Sequence, residues 1–204
     1  MPSAILPPPT GDDVIKAEKK FEEDNGAVEW VLRQLFEKFP KNTDLKEVLV
    51  KTKVLNVLYS TRILALNLVA EHITNLGIDP DLKAGKAEVV DRIAKVQLKG
   101  GKTRHFFSFA SKYCSWHNPA EYPIYDSRVE ACLWHYKRQE GSKFADALAE
   151  RGIAFPRYGY DYSAFVQIVN AFRDGYSLTS FTYKQLDKFL YSLGDRLRWS
   201  PLCR

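Results

Sequence analysis

Three stretches of the sequence place chemically capable residue types at close spacing. The first is basic. Between Arg92 and Ala120 there is no acidic residue, while Arg92, Lys95, Lys99, Lys102, Arg104 and Lys112 give the window a formal charge of +6, with His105 and His117 beside them. At its centre lies Leu98-Lys-Gly-Gly-Lys102, where Gly100 and Gly101 tolerate positive φ and so permit a tight turn. Backbone N–H groups at a turn leading into a helix, flanked by lysines, bind phosphate. A solvated helix face lacking acids would carry the same charge. The second stretch is aromatic. Trp116, His117 and Asn118 open a Trp116–Pro123 loop, with Tyr122 and Tyr125 after them. Flat rings and a few hydrogen-bonding groups can line a binding site; each ring alone also suits a core. His117 is assigned no metal partners, and no metal site is expected. The third is a carboxylate, Asp126, approached through Pro123 and followed by Arg128. Asp at a helix start is a common cap, and the positive end of the helix dipole favours its anion. Arg128 fits a phosphate contact, an orienting partner for Asp126, or an exposed surface residue.

The elements that must hold these residues read as helices. Val28, Val31, Leu32, Leu35, Phe36 and Phe39 follow helical spacing, and Pro40 ends the run. Asp44 with Glu47 reads as a capping box. The apolar stretch from Leu45 to Leu76 reads as two helices broken near Tyr59-Ser-Thr61, closed by Asn75-Leu-Gly77 as a C-cap, with Asp79-Pro80 as a turn. A shorter helix is expected over Lys86–Val96. Further stripes run through Phe106, Phe107, Phe109, Ala110 and Tyr113; through Tyr125, Val129, Cys132, Leu133 and Tyr136; through Tyr162, Phe165, Val166, Val169 and Phe172; and through Leu186, Phe189, Leu190, Leu193 and Leu197. The cluster Tyr158-Gly-Tyr-Asp-Tyr162 suits either a pocket lining or a helix anchor. No repeat and no alternating strand stands out. The expected fold is all-α with eight to ten helices. The expected organisation is an extended Pro-rich arm over 1–11 and a single domain over 12–204.

Composition sets the limits. The chain has 204 residues, 45% hydrophobic and 27% charged, which is ordinary for a globular protein and excludes wholesale disorder. No apolar run approaches the roughly 20 residues of a membrane span, so no membrane partner is expected. The first residues lack the basic and apolar regions of a leader, so none is expected. Three widely spaced cysteines do not form a disulfide framework, which points to a reducing, cytoplasmic setting, and they are too few for an all-cysteine zinc or iron–sulfur site. No cofactor is expected. A net charge of +5 with 13% aromatic residues suggests a nucleic-acid partner.

Three segments in order carry a family resemblance. Val57-Leu-Tyr-Ser-Thr-Arg-Ile-Leu-Ala-Leu-Asn-Leu-Val-Ala-Glu-His-Ile73 is similar to the helix that begins the core of helix-hairpin-helix DNA glycosylases, which include the 8-oxoguanine glycosylases. Gly100-Gly-Lys-Thr-Arg-His-Phe-Phe-Ser-Phe-Ala-Ser-Lys-Tyr113 resembles their hairpin and second helix. Pro123-Ile-Tyr-Asp-Ser-Arg-Val129 resembles the segment that supplies their catalytic carboxylate. The resemblance spans 54–136 with the hairpin near 98–102; the usual Leu-Pro-Gly-x-Gly is reduced to Leu98-Lys-Gly-Gly101, and the loop before Tyr122 is longer than the family's. It implies a compact multi-helix fold and a monomer that flips a damaged or modified base from double-stranded DNA and hydrolyses its N-glycosidic bond. The setting would be repair, or defence against phage DNA carrying bases such as glucosylated hydroxymethylcytosine. Asp126 would stabilise the oxocarbenium-like sugar. Lys102 would be a phosphate contact or, as the minority alternative, the nucleophile of a strand-cleaving lyase. Lys99, Gly100, Gly101, Arg104, Lys112 and Arg128 would hold DNA. Tyr59, Thr61 or Arg62 would fill the gap left by the base, and Trp116, His117, Asn118 and Tyr125 would line its pocket. A non-catalytic DNA-binding module and a helical protein-interaction domain are the competing readings.

Overall fold

The computed structural model describes residues 6–156 and 161–199, with side chains of the final stretch described as far as 194. Tyr158, Gly159 and Tyr160 of the aromatic cluster, Cys203 and the Leu197 side chain lie outside the described residues. Ten helices and two short strands make up the described fold, which is therefore mostly helical. None of the described helices is long and apolar enough to cross a membrane.

The first helix, α1 (Gly11–Lys38), starts where the proline run ends. Thr10 and Asp13 cap it reciprocally: Asp13 N donates to Thr10 Oγ1 at 3.3 Å, and Thr10 N donates to Asp13 Oδ2 at 3.0 Å. The arm before it is not loose throughout, since Pro9 is buried and Tyr136 Oη donates to the Pro7 carbonyl at 3.4 Å. Of the apolar stripe, Leu32 and Phe36 are buried, whereas Val28 and Val31 face solvent, so the stripe that packs is narrower than its spacing suggests.

The chain's contacts gather into two compact units where the sequence reads one domain over 12–204. One unit is 25–124; the other joins the residues up to 24 to those from 125 onward, so the division falls within α1. In the 25–124 unit, α2 (Leu45–Leu58) is capped by Asp44, whose carboxylate accepts from Lys46 N and Glu47 N. After the expected break, α3 (Leu66–Asn75) ends at Gly77, which takes φ of +60°. Asp79-Pro80 does not form a simple turn. It opens α4 (Asp79–Lys83), with proline in the first turn, where no N–H is needed. The helix expected over Lys86–Val96 is shorter, α5 (Glu88–Ala94), because the chain turns extended at Lys95.

The mostly helical structure agrees with the all-α expectation, and at this point it adds a short two-stranded ribbon. Strands β1 (Lys95–Gln97) and β2 (Thr103–His105) pair antiparallel, with Lys95 opposite His105, Val96 opposite Arg104 and Gln97 opposite Thr103. The ribbon is closed at its tip by Leu98 N donating to Lys102 O at 2.8 Å, and at its base by Phe106 N donating to Ala94 O at 2.8 Å. Then α6 (Phe107–His117) runs through the unit's core, burying Phe109, Tyr113 and Cys114 against α5 and α2.

The other unit holds α7 (Ser127–Lys137), α8 (Lys143–Glu150), α9 (Tyr162–Gly175) and α10 (Tyr183–Trp199). Helix α7 packs on α10 closely enough that a Cβ on Gly194 would lie 2.3 Å from the Arg128 carbonyl oxygen, which explains a glycine mid-helix. Helices α8 and α9 share an aromatic core of Phe144, Phe155 and Phe172, joined by Tyr136 of α7.

Candidate nucleic-acid interface

Two of the six cations in the acid-free window are occupied inside the protein. Arg92 donates from Nη1 to Asp81 Oδ2 at 2.8 Å and from Nη2 to the Leu76 carbonyl at 2.9 Å, joining α5 to α4 and the end of α3. Lys112 is 2% exposed. Its ammonium donates to Ser108 Oγ at 2.7 Å and lies over the Tyr59 ring. Arg92 is thus half-buried in an ion pair, and Lys112, expected at the interface, is buried within its unit. The remaining four, Lys95, Lys99, Lys102 and Arg104, are all exposed and all on the ribbon or its tip.

The tip is a feature of the glycines. Gly100 and Gly101 take φ of +80° and +77°, and a Cβ at either would meet nothing within 4 Å. Their backbone is open to an approaching ligand. The glycines turn a β-hairpin; they do not open a helix. Helix α6 begins only at Phe107, with Phe106 before it and no side-chain cap. A phosphate at this tip therefore meets turn amides and lysines, without a helix dipole behind them.

The segment Val57–Ile73 is not one helix. It comprises the end of α2, a loop, and most of α3. In the loop, Ser60 and Arg62 take positive φ, of 50° and 57°. Tyr59 is half-buried; its hydroxyl accepts from Trp116 Nε1 at 3.0 Å. It is thus engaged where a gap-filling residue would need to project. Arg62 is exposed, and Leu64 two residues on is 99% exposed. Sequence reading passed over Leu64 because its neighbours Ile63 and Leu66 look like core, and nothing local marks which apolar residue a strained loop turns outward.

Two of the proposed base-reading residues are not in a loop. Trp116 and His117 form the last turn of α6, which stops only as Pro119 approaches. His117 packs edge-on against Phe36, with centroids 4.8 Å apart, and against Tyr113 at 5.1 Å. Asn118 ends the helix and donates to the carbonyls of Leu82 at 3.2 Å and Lys83 at 3.4 Å, tying α6 to α4. These contacts give His117 and Asn118 structural work within their unit.

His117 also belongs to a buried polar cluster that the sequence did not reveal. Lys51 is fully buried in α2. Its Nζ donates to the carbonyls of Phe39 at 3.0 Å and Lys41 at 2.8 Å and to Asn42 Oδ1 at 2.8 Å, and lies 3.2 Å from His117 Nε2. Asn42 in turn donates to Asp79 Oδ1 at 2.6 Å and accepts from the Tyr113 hydroxyl at 2.5 Å. Burial lowers the Lys51 ammonium to about 8, against the pull of Asp79 and Glu47. Burial, with the Lys51 charge added, lowers His117 to about 3. The partners are 9 to 71 positions apart, which is why spacing shows nothing of them.

In the other unit, Asp126 is the N-cap of α7. Its Oδ1 accepts from Arg128 N at 3.0 Å. It is half-buried, at the positive end of an eleven-residue helix. The Arg128 guanidinium is turned to Tyr191 of α10. It donates to the Tyr191 hydroxyl and stacks 4.7 Å from the ring centroid. Arg128 thus joins α7 to α10. Tyr125 is half-buried, donates to Glu130 Oε2 at 2.8 Å and packs edge-on to Phe165.

These features define a class first: a mostly helical protein that presents one basic β-ribbon among its described residues. The chain belongs to the HI_0787_N family, whose model, described as an N-terminal domain, matches residues 13–121. A protein of Haemophilus influenzae carrying the name "Uncharacterized protein" is 36% identical over 158 residues, covering 76% of this chain and 70% of its own length. No solved structure matches. The family match includes the ribbon and the Lys51 cluster, and ends before Asp126.

Proposed function

We propose that the protein is a DNA glycosylase that grips duplex DNA through the basic ribbon and releases a damaged or modified base by hydrolysis. The observation that carries this reading is the collection of four exposed cations on one ribbon whose tip is open glycine backbone. Such a tip meets phosphate by both charge and N–H donation. Leu64, beside Arg62 on the positive-φ loop, is the apolar group suited to wedge into the stack when a base leaves it.

The chemistry falls to Asp126. As the glycosidic bond breaks, positive charge grows on the sugar, and a carboxylate stabilises it. Water adds to C1′, the bonding pair leaves with the base, and the proton lost by the water ends on the released base. The α7 cap fixes the Asp126 carboxylate in one rotamer, so its orientation is set before any substrate arrives. Lys102 is exposed at the ribbon's tip, a place for a phosphate contact, and base release without strand cleavage follows from that.

The test is to incubate the protein with genomic DNAs of different modification, damaged-base substrates and glucosylated phage DNA among them, and to identify any released base by mass spectrometry. Asp126→Asn should retain DNA binding and lose release. Full release from that variant removes Asp126 from the reaction. The cap contact also favours a second reading, a binding module in which Asp126 only ends α7. Tight binding with no release from any DNA establishes that one.

A further inference from the structure

The ribbon has two faces, and their composition differs. Residues directly opposite in an antiparallel pair share a face. Val96 and Arg104 share one; Val96 is buried, so that face meets the protein there, while Arg104 across from it is exposed. Lys95, Gln97, Thr103 and His105 share the other, and all four are exposed. Three of these four carry both a donor and an acceptor. A surface that only neutralised phosphate would need cations there. Instead the outward face carries one cation, Lys95, among groups able to read hydrogen-bonding patterns, while Lys99 and Lys102 are at the tip and Arg104 is on the opposite face.

Dimensions point the same way. Two strands about 4.8 Å apart, with side chains standing off both sides, are too broad for a minor groove about 6 Å wide; a major groove about 12 Å wide admits a two-stranded ribbon. No acidic residue between Arg92 and Ala120 opposes entry between two phosphate backbones.

We propose that this ribbon enters the major groove of duplex DNA and that Gln97, Thr103 and His105 read base edges there, while Lys99 and Lys102 hold the flanking phosphates. Lys95 adds a donor for the acceptors of guanine. The proposal rests on the DNA-binding part of the function above and is independent of which base is released, or whether any is.

Groove-selective substitution of the DNA tests it on the full chain. Fluorescence anisotropy compares one duplex in three forms: unmodified, with 7-deazapurines that remove the N7 acceptor from the major groove, and with inosine for guanine, which removes the amino group from the minor groove. The 7-deaza duplex should bind roughly tenfold more weakly, and the inosine duplex as the unmodified one does. Gln97→Ala with Thr103→Ala should bind the unmodified duplex more weakly and lose part of its sensitivity to the 7-deaza change. Lys99→Ala with Lys102→Ala should also bind more weakly but keep that sensitivity. Equal binding of 7-deaza and unmodified duplexes, or a loss confined to inosine, overturns the groove assignment while leaving DNA binding intact. Failure to bind any duplex at low salt, or preference for single-stranded RNA, overturns both this assignment and the interface beneath it.

Discussion

A lysine ammonium has three protons, and at Lys51 three acceptors meet it: the carbonyls of Phe39 and Lys41 and the amide oxygen of Asn42. The two carbonyls follow the end of α1, where helix geometry leaves C=O groups without partners. Lys51 therefore secures the turn into α2 from beneath. Lys51→Met would fill the space and leave those acceptors buried without a donor. It should cost about 3 kcal/mol, read from urea unfolding; a loss below about 1 kcal/mol would show that the turn holds itself. His117 beside it gives a pH signature. Its folded value of about 3 is below the ordinary 6.5, so the unfolded chain takes up a proton first as pH falls. Stability contributed by neutral His117 is complete above pH 6.5 and declines below it, by about 1.4 kcal/mol per pH unit once the unfolded imidazole is charged. His117→Gln should flatten stability between pH 6.5 and 5, and an unchanged slope would sink the assignment. At Asp126 the cap and the chemistry separate by substitution: Asp126→Ala should lose about 1 kcal/mol with the cap, whereas Asp126→Asn can keep the cap contact. The capping roles of Asp44 and Asp126 were legible because a cap is a local event. The Lys51 cluster was not, because its members meet only when α1, α2, α4 and α6 assemble.

At the scale of elements, the helices were legible because their apolar spacing runs for several turns, and the breaks at Pro40, Ser60 and Gly77 are chemical punctuation. The strands were not. Three residues each, with a single buried side chain between them, they offer no alternation long enough to see, and the basic residues around them read equally well as a helix face. Only the Gly-Gly pair betrayed a turn, and it gave no sign of what the turn joined. Because nothing crowds a Cβ at Gly101, its substitution isolates backbone strain. Gly101→Ala should cost about 1 kcal/mol, Asn less and Val more, since Asn tolerates positive φ and β-branching does not. Gly85→Ala should cost more than Gly101→Ala despite a similar φ of +71°, because its Cβ would lie 2.7 Å from Glu121 Cγ. Thermal unfolding orders the four variants; equal losses at Gly85 and Gly101 would mean that Glu121 moves aside without penalty.

For the whole molecule, a net charge of +5 says little, because charge acts where it is exposed. The acid-free window holds six cations, but Arg92 is tied to Asp81 and Lys112 is buried under Tyr59, so the window's apparent charge overstates what a partner meets. The four that remain set an expectation for binding. Each phosphate neutralised releases counterions, so the logarithm of affinity falls linearly with the logarithm of salt, by about 0.9 for each contact. Lys99 and Lys102, the two assigned to phosphates, predict a slope of about −1.8. Lys99→Ala and Lys102→Ala should each make it shallower by about 1. Lys112→Ala should leave it unchanged, whatever that variant does to stability, because slope reports contacts made and stability does not enter it. Salt titrations of duplex binding by the wild-type chain and these three variants decide the matter. A slope that ignores Lys99 and Lys102, or one that falls with Lys112, would move the interface off the ribbon.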